Sequence, residues 1–344
     1  MRFLAIEHVL PSEVVTNEFR LNEVVNKSKD YFSAADLNTL RERLVKVLKL
    51  AKTEIRYVRS PDEKAFGLGV KAGMRALQTA GLDPTDIDLM IYVGVGRGFL
   101  EPATANVFQD ALGLTKATCF DVLDACASWL RAVDVAHSFL KTKIYKRIMI
   151  LNCECNREYG DLIFRSFEDI DFKFPGLTIG EAATATILTD SDEDDLYYST
   201  FKTWGDKHTL CKIPLPHYRE FSNGNDIDNL PALRFYSYGE QLFRVVFKKL
   251  VEHYRGDEQI NAFKHDIAFG HSASDSMSEK IGQILKLDNT YLSHSRFGNT
   301  VSASIPLGMS HAIDEESLKP NMNVLLGCGS AGITTAWTRF RYLD

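Results

Sequence analysis

One cysteine of this chain stands where its surroundings could make it a nucleophile. Cys126 follows a mostly apolar segment, residues 119–125, and small or apolar residues then recur at helical spacing over residues 127–140. The pattern predicts a strand, a tight turn that carries the cysteine, and a long helix that starts at the cysteine. The unpaired N–H groups and the positive dipole end of a helix start stabilise a thiolate, so this placement favours a reactive thiol. On these residues alone, a buried and inert cysteine is an equally good interpretation.

Two polar residues stand at comparable places later in the chain. His271 ends an apolar run over residues 266–270, and Asn299 opens a small-residue helix behind Gly298. In α/β proteins, functional sites gather where strands end. Taken alone, a strand-end histidine with satisfied hydrogen bonds and a turn or cap asparagine are the commoner interpretations. Only the fold can bring either residue to Cys126.

Amphipathic helices and apolar strands alternate around these residues. In the first half the pattern predicts helices over residues 65–80 and 103–112 and strands over 88–94, 147–152 and 180–188. In the second half it predicts helices over 238–254 and 275–285 and strands over 266–271, 323–327 and 335–342. The helix–strand pairs 65–94 and 238–271 look like equivalent pieces of two halves.

The alternation predicts an α/β fold built from two similar halves. The N-terminal half, residues 1–190, carries Cys126, and the C-terminal half, residues 191–344, carries His271 and Asn299. An acidic turn just after residue 190 is the expected boundary. We expect helices layered on sheets whose strands are largely parallel.

Four segments fall outside this alternation. Residues 1–16 indicate a short strand and a loop, and the heavily charged helical region 17–52 is typical of a surface excursion or cap. Residues 53–63 form a polar connector. The irregular, aromatic segment 156–178 is a candidate lid or pocket wall, although ordinary packing would explain its aromatic residues equally well.

Composition excludes several classes of protein. Of the 344 residues, 45% are hydrophobic and 25% are charged, as in soluble globular proteins, and the net charge of −6 comes without any basic block suited to nucleic acid. No signal peptide and no membrane-spanning apolar run is recognisable. The six cysteines form neither a disulfide framework nor a zinc pattern, so we expect a cytoplasmic protein without a metal site.

Five motifs in order resemble those of the thiolase superfamily, and most closely the β-ketoacyl-acyl-carrier-protein synthase III group. Residues 121–132 match its cysteine segment, and residues 180–185 look like its strand of a glycine, an acid and small residues. Residues 270–274 look like its histidine motif, and residues 297–306 are very similar to its asparagine motif. Residues 327–332 resemble its C-terminal glycine-rich loop. The motifs occur in the right order, and the resemblance extends over almost the whole chain.

The resemblance implies a thiolase-like fold with layered sheets and helices, and a Claisen-type condensation of acyl thioesters. Cys126 would take the acyl group as a covalent acyl-enzyme. His271 and Asn299 would donate hydrogen bonds to the carbonyl of a malonyl or β-ketoacyl thioester and stabilise its enolate. Backbone N–H groups at Cys126 and in the loop with Gly329, Ser330 and Ala331 would hold the oxyanion.

Residues 98–105, in which Glu101 precedes Pro102, are similar to a segment of a subgroup that joins two acyl chains, namely the olefin-pathway and ring-forming synthases. In that subgroup the glutamate reaches across the dimer interface as a general base, so Glu101 could act in the partner's site of a homodimer and remove an α-proton without loss of CO₂. An acid favoured by the dipole of a helix start, with Pro102 at its first position, is an equally good interpretation.

The chain also departs from the synthase III pattern. An arginine of the carrier-protein patch is replaced near Ser276, while Arg244 does match a basic position of that patch. The tryptophan motif that helps seat coenzyme A is missing, and the charged region 27–49 stands in its place. The implied substrates are thioesters of coenzyme A or of an acyl carrier protein, with no further cofactor. The implied pathway is fatty-acid or secondary-metabolite synthesis.

Two alternatives remain open. His271 could serve as a general base for acyl transfer to a hydroxyl or an amine, without formation of a carbon–carbon bond; the presence of Asn299 argues against this. The chain could also be a non-catalytic partner of a condensing enzyme, although both Cys126 and His271 are present.

Overall fold

The protein is built on two five-stranded mixed sheets. The structure is a computed structural model that describes residues 1–222 and 230–344. The strands of the first half are β1 (Arg2–Val9), β2 (Glu13–Thr16), β3 (Ile55–Val58), β4 (Leu89–Val93), β5 (Thr118–Val122), β6 (Arg147–Glu154) and β7 (Ala182–Thr189). Those of the second half are β8 (Tyr198–Thr203), β9 (Cys211–Lys212), β10 (Tyr236–Ser237), β11 (Ile267–Gly270), β12 (Thr290–Tyr291), β13 (Asn323–Ser330) and β14 (Thr334–Arg341).

The helices connect and cover these strands. Those before residue 190 are α1 (Asn17–Ser28), α2 (Ala34–Ala51), α3 (Ala65–Ala80), α4 (Thr104–Ala111), α5 (Ser128–Lys141), α6 (Ile170–Lys173) and α7 (Pro175–Thr178). Those after it are α8 (Gly239–Arg255), α9 (Glu258–Asn261), α10 (Asp275–Leu285), α11 (His294–Phe297) and α12 (Ser304–Asp314).

The two sheets share one topology. The first has the order β1-β7-β6-β4-β5 and the second the order β8-β14-β13-β11-β12. In each sheet the two pairs nearest the β1 or β8 edge are antiparallel and the two remaining pairs are parallel. The α/β fold of two similar halves is therefore confirmed. The prediction of largely parallel strands is wrong, because strands such as β13 and β14, joined by a three-residue turn, can only pair antiparallel.

Layers of helix and sheet alternate through the molecule. Apolar residues of α5 and α12 pack between the inner faces of both sheets in one central core. Residues of α3 and α4 cover the outer face of the first sheet, and residues of α8 and α10 cover that of the second. Each sheet is thus apolar on both faces, which explains the nearly continuous apolar runs such as Leu89–Val93. The boundary near residue 190 stays a prediction.

The charged region 17–52 folds as two capped helices. Thr16 accepts the amide of Phe19 at 3.2 Å to cap α1, and Ser33 accepts the amide of Asp36 at 3.2 Å to cap α2. Leucines at positions 40, 44 and 48 form one buried stripe of α2, which packs on the segment 156–178 in a small core of its own. The segment predicted to be irregular contains the short helices α6 and α7.

Six strands have no counterpart in the sequence prediction: β2, β3, β8 and the two-residue strands β9, β10 and β12. β2 and β3 pair antiparallel inside a predicted loop and a predicted connector, and β8 lies along β14. β2 and β3 have only four residues each, too few for alternation to stand out from a loop. β8 is an edge strand and is only half-buried, so it lacks the apolar run of the central strands.

Candidate active site

One cavity unites the residues that the motifs single out. It has a volume of about 1000 Å³, and its lining includes Cys126, His271 and Asn299. This volume is at the upper end of the range of volumes found for small-ligand pockets. Apolar side chains of α2, α8, α10 and the segment 156–178 contribute to the remaining wall. The structure therefore brings together three residues that lie far apart in the sequence.

A tight turn presents Cys126 at the carboxyl end of β5. Ala125 adopts the left-handed conformation with a φ of 44°, and residues 125–127 form a single 3₁₀ turn before α5. The Ser128 hydroxyl donates to the carbonyl of Ala125 at 2.7 Å and accepts the amide of Asp124 at 2.8 Å. The predicted strand, turn and helix are confirmed, but α5 begins at Ser128, two residues after the cysteine, because the chain turns through the 3₁₀ segment first.

The glycine-rich loop after β13 clamps this turn. The Ser330 hydroxyl donates to the carbonyl of Asp124 at 2.9 Å and accepts the amide of Ala127 at 3.3 Å. The backbone amide of Ala331 faces the sulfur of Cys126 and acts to lower its pKa. Gly329 has no room for a side chain, since a Cβ there would lie 2.2 Å from a methyl carbon of Val246. Two backbone segments thus converge on the sulfur atom.

His271 is held at the end of β11 with one ring nitrogen engaged. Its Nδ1 lies 3.1 Å from the hydroxyl oxygen of Ser304, which donates its own proton to the carbonyl of Val301 at 2.6 Å. Ser304 therefore accepts from Nδ1–H, and Nε2 is the unprotonated nitrogen of the resting ring. Burial lowers the pKa of His271 to about 4, and His294 adds to the lowering. The ring is neutral at pH 7.

Asn299 is fixed so that its amide nitrogen is the half left for a ligand. The side-chain Oδ1 of Asn299 accepts a hydrogen bond from the backbone amide of Val301 at 2.9 Å. The backbone amide of Asn299 donates to the carbonyl of Thr178 at 2.8 Å. Within residues 1–222 and 230–344, Nδ2 has no hydrogen-bond partner. A side-chain amide whose oxygen is engaged can offer only donors. Asn299 is therefore built to meet an acceptor such as a carbonyl oxygen.

Glycines of two motifs allow the backbone near Asn299 to pack closely. Gly298 has a φ of 70°, and a Cβ there would lie 2.6 Å from the carbonyl oxygen of Thr178. A Cβ on Gly180 would lie 2.2 Å from the carbonyl oxygen of Phe297. The glycine–acid strand and the asparagine motif are thus two sides of one contact.

Glu101 and Arg244 lie outside the cavity of their own chain. Glu101 is exposed in the loop before α4, whose first amides, at Thr104 and Ala105, donate to the carboxylate of Asp121 at 2.9 and 2.8 Å. Arg244 is exposed on α8 and pairs with Glu240 at 2.6 Å. Their predicted roles, in a partner's site and in carrier docking, stay predictions.

Known proteins are similar to this chain along nearly its whole length. The family model of the 3-oxoacyl-[acyl-carrier-protein (ACP)] synthase III C terminal matches residues 258–342. The β-ketoacyl-[acyl-carrier-protein] synthase III of Clostridioides difficile is 25% identical over 338 residues, which cover 96% of this chain and 95% of that protein. The corresponding synthase of Listeria monocytogenes serotype 1/2a is 27% identical over 336 residues, with the same two coverages.

Solved structures show the same fold. The 3-oxoacyl-[acyl-carrier-protein] synthase III of Aquifex aeolicus superposes with a TM-score of 0.79 at 22% identity over 99% of both chains. A variant of Xanthomonas campestris OleA superposes with a TM-score of 0.83 at 18% identity, covering 99% of this chain and 96% of that one. The priming β-ketosynthase of the R1128 polyketide pathway reaches 0.81 at 19% identity, covering 100% of this chain and 96% of that one.

The chain is similar to synthase III proteins along nearly its whole length, and it has the thiolase-like fold. The resemblance inferred from the five ordered motifs is confirmed. No helix of the described ranges is both long enough and apolar enough to cross a membrane. In the same part of the chain, no group of His, Cys, Asp and Glu side chains could hold a metal ion.

The resting Cys126 is a thiol, although a helix start by itself would favour the thiolate. Burial raises the pKa of Cys126 well above its ordinary value, and Cys328, Cys211 and Glu154 raise it further. The amide of Ala331 opposes the rise without reversing it. Desolvation thus outweighs the favourable dipole of the helix start.

Alkylation by iodoacetamide tests this state. Because only the thiolate reacts, we expect the alkylation rate of Cys126 to climb continuously from pH 6 through pH 9, about tenfold per pH unit. Peptide mass spectrometry must follow Cys126 by itself, since Cys211 lines the same cavity and burial raises its pKa to about 11. A rate that levels off below pH 8 would show that the resting residue is already a thiolate.

Sequence reasoning missed three residues of the site. Ser304 orients His271, Cys211 lines the cavity, and Glu154 lies fully buried beside the turn that follows Asn299. Glu154 did leave a signal, because it is a charged residue that directly continues the apolar strand from Arg147 to Cys153. A carboxylate at the end of a buried strand needs a structural or functional reason.

Proposed function

We propose that this protein condenses acyl thioesters through a covalent acyl-enzyme on Cys126. The main support for the proposal is that Cys126, His271 and Asn299 all line one largely apolar cavity of about 1000 Å³. A thiol, a ring nitrogen and an amide donor are the groups that such a condensation needs. The apolar wall suits the hydrocarbon part of an acyl chain.

The first half-reaction loads the acyl group. The sulfur of Cys126 attacks the thioester carbonyl carbon, and a carbon–sulfur bond to the enzyme forms while the bond to the leaving thiol breaks. The proton of Cys126 departs with that thiol. Backbone amides of Cys126 and Ala331 hold the oxyanion of the tetrahedral intermediate, with Gly329 and Ser330 keeping the loop close to the sulfur.

The second half-reaction forms the carbon–carbon bond. A malonyl thioester loses CO₂, or another acyl thioester loses an α-proton, and the resulting enolate oxygen accepts hydrogen bonds from Asn299 Nδ2 and His271 Nε2. The enolate carbon attacks the acyl carbon and releases the Cys126 thiolate, which takes up a proton. His271 donates from Nε2 when the Ser304 hydroxyl turns its proton from Val301 to Nδ1. A carbonyl oxygen facing Nε2 favours that tautomer.

Glu101 is the proposed general base for the route in which an acyl thioester loses an α-proton and no CO₂ is released. It would act in the active site of the partner subunit of a homodimer. Three exposed apolar side chains close to this loop and to Cys126 would be covered in a homodimer: Phe99, Leu100 and Leu123. A surface with such side chains is typical of a protein contact. The proposed role of Glu101 requires the homodimer.

The proposed substrates are thioesters of coenzyme A or of an acyl carrier protein, in fatty-acid or secondary-metabolite synthesis. The curated relatives are named as synthases of β-ketoacyl-[acyl-carrier-protein]. One structural relative is named as the priming β-ketosynthase of a polyketide pathway. Arg244 is the proposed docking residue for a carrier. A reducing compartment such as the cytoplasm suits a catalytic thiol, and the six cysteines are all free.

Intact mass spectrometry tests the proposed function. On incubation with octanoyl-, dodecanoyl- or hexadecanoyl-CoA, we expect the wild type to gain one acyl mass, and the Cys126→Ala variant to gain none. Adding malonyl-CoA or a second acyl-CoA should discharge the adduct and yield a β-keto product. Discharge only by alcohols or amines would indicate acyl transfer, and the absence of any adduct would indicate a non-catalytic partner.

A further inference from the structure

Glu154 is a fully buried carboxylate with five donors around it. Its Oε1 accepts the amide of Val95 at 3.1 Å and the amide of Ser302 at 3.3 Å, together with the Ser302 hydroxyl. Its Oε2 accepts the amide of Gly96 at 3.0 Å and the side-chain amide of Asn156. Across the described ranges, no cationic side chain pairs with it. Hydrogen bonds alone therefore offset its desolvation.

The Ser302 contacts fix a strained turn. Val301 has a φ of 51°, which is costly for a β-branched residue and persists only when the surroundings enforce it. The amide and hydroxyl of the next residue, Ser302, are both bound to Glu154, and Asn152 adds a 2.9 Å hydrogen bond to the same hydroxyl. Glu154 thus holds the conformation that Val301 would not adopt by itself.

That turn orients both groups of the second half-reaction. The amide of Val301 holds Oδ1 of Asn299, and its carbonyl accepts from Ser304, the partner of His271. If Val301 relaxed to negative φ, its amide and carbonyl would turn away, and both side chains would lose their orientation. Cys126 depends on other contacts, namely those of Ser128 and Ser330.

The remaining donors tie the loop after β4 to the same carboxylate. This loop lies against β6 so closely that a Cβ on Gly96 would be 2.3 Å from the carbonyl oxygen of Cys153. Val95 lines the cavity, and the chain continues from it to Glu101. One buried group therefore joins the cavity loop to the turn that follows Asn299.

We infer that Glu154 is a positioning residue for the condensation step, acting through the Val301 turn on Asn299 and His271; this rests on the proposed function. The carboxylate has a second effect of opposite sign on the first step. Its negative charge contributes to the raised pKa of Cys126, so a neutral residue there favours the thiolate. Replacement of Glu154 by a neutral residue therefore slows condensation, because the Val301 turn loses its acceptor. It does not slow acylation, because the loss of the negative charge favours the Cys126 thiolate.

The Glu154→Gln variant tests the inference. The amide group has the shape of the carboxylate, but it turns two donors toward a ring of donors, so the Val301 turn loses contacts. We expect discharge of the preformed acyl-enzyme by malonyl-CoA or a second acyl-CoA to slow by about tenfold or more. Acylation by dodecanoyl-CoA should stay at the wild-type rate or rise.

A matched control lies at the other end of the same strands. The Asp88 carboxylate accepts the amides of Lys146 and Arg147 at 2.9 and 3.0 Å, so Asp88→Asn removes a comparable clamp far from the cavity and should leave both half-reactions unchanged. Ser302→Ala removes one donor to Glu154 and should show the same split to a smaller extent. This second variant keeps the test available even if Glu154→Gln does not fold.

Two results would overturn the inference. Equal slowing of acylation and condensation in Glu154→Gln would indicate a general loss of structure, and unchanged condensation in both variants would show that the turn needs no such support. Failure of the proposed function is distinguishable from either result, because the wild type itself would then not form or not discharge the acyl-enzyme.

Discussion

We expect the Asn299→Asp variant to condense acyl groups on the order of 10²–10³ times more slowly than the wild type, while it loads Cys126 at nearly the wild-type rate. A carboxylate can still accept the amide of Val301, as Oδ1 of Asn299 does at 2.9 Å, so the turn keeps its anchor. What is lost is the donor, and a negative charge takes its place beside the enolate oxygen. The penalty therefore falls on the charged intermediate and not on the loading step.

Separate measurement of the two half-reactions is decisive for Asn299. Intact mass follows the gain of the acyl group, and its decay after addition of malonyl-CoA follows condensation. Asn289→Asp is a suitable control, because the Asn289 side chain is exposed and donates to the carbonyl of Asp266, away from the cavity. Wild-type decay in Asn299→Asp would remove Asn299 from the mechanism, and parallel loss of both steps would assign it to substrate binding.

The three residues of the candidate site were predictable because each one lies directly after an apolar strand or a few residues before a helix. Cys126 follows β5, His271 follows β11 and Asn299 precedes α12, positions that patterning identifies without any knowledge of side-chain contacts. Parallel pairing places the ends of such strands at one edge of a sheet. The order of the motifs then supplied the fold that joins the two sheets.

The ionisation of these residues was not predictable, since it depends on burial and not on spacing. A helix start favours the thiolate of Cys126, but removal of water around the sulfur has the larger effect and raises its pKa. The pKa of His271 is lowered to about 4 for the same reason. A local pattern describes the dipole, whereas the surrounding wall comes from helices distant in the sequence.

The pocket and its supports were hidden for a related reason. The cavity wall includes Val47 of α2, Phe243 of α8 and Met277 of α10, which only the layered fold brings together. The strained φ of Val301 and the burial of Glu154 likewise depend on hydrogen bonds between segments that are distant in the sequence. No single stretch of sequence contains both partners of such a contact.

The His271→Ala variant should lose condensation by a similar factor, about 10²–10³, with acylation retained. The pH dependence adds a sharper expectation. Because burial lowers the pKa of His271 to about 4, the ring stays neutral between about pH 5 and pH 8, and protonation sets in only as the pH falls toward 4. Discharge of the preformed acyl-enzyme should show no step near pH 6.5 due to this ring. Such a step in the wild type that disappears in His271→Ala would contradict the assignment.

The tautomer of His271 can be tested without removing the ring. In Ser304→Ala the hydroxyl that can donate to Nδ1 is gone, while the carbonyl of Val301, whose hydrogen bond raises the pKa of His271, remains as an acceptor beside the ring. The ring is then held with an unprotonated Nε2, which cannot donate to the enolate oxygen. We expect condensation to fall by about tenfold or more, less than in His271→Ala, with acylation unchanged. Nitrogen chemical shifts of the ring report the tautomer directly, and full condensing activity in Ser304→Ala would show that Nε2 donates without help from this hydroxyl.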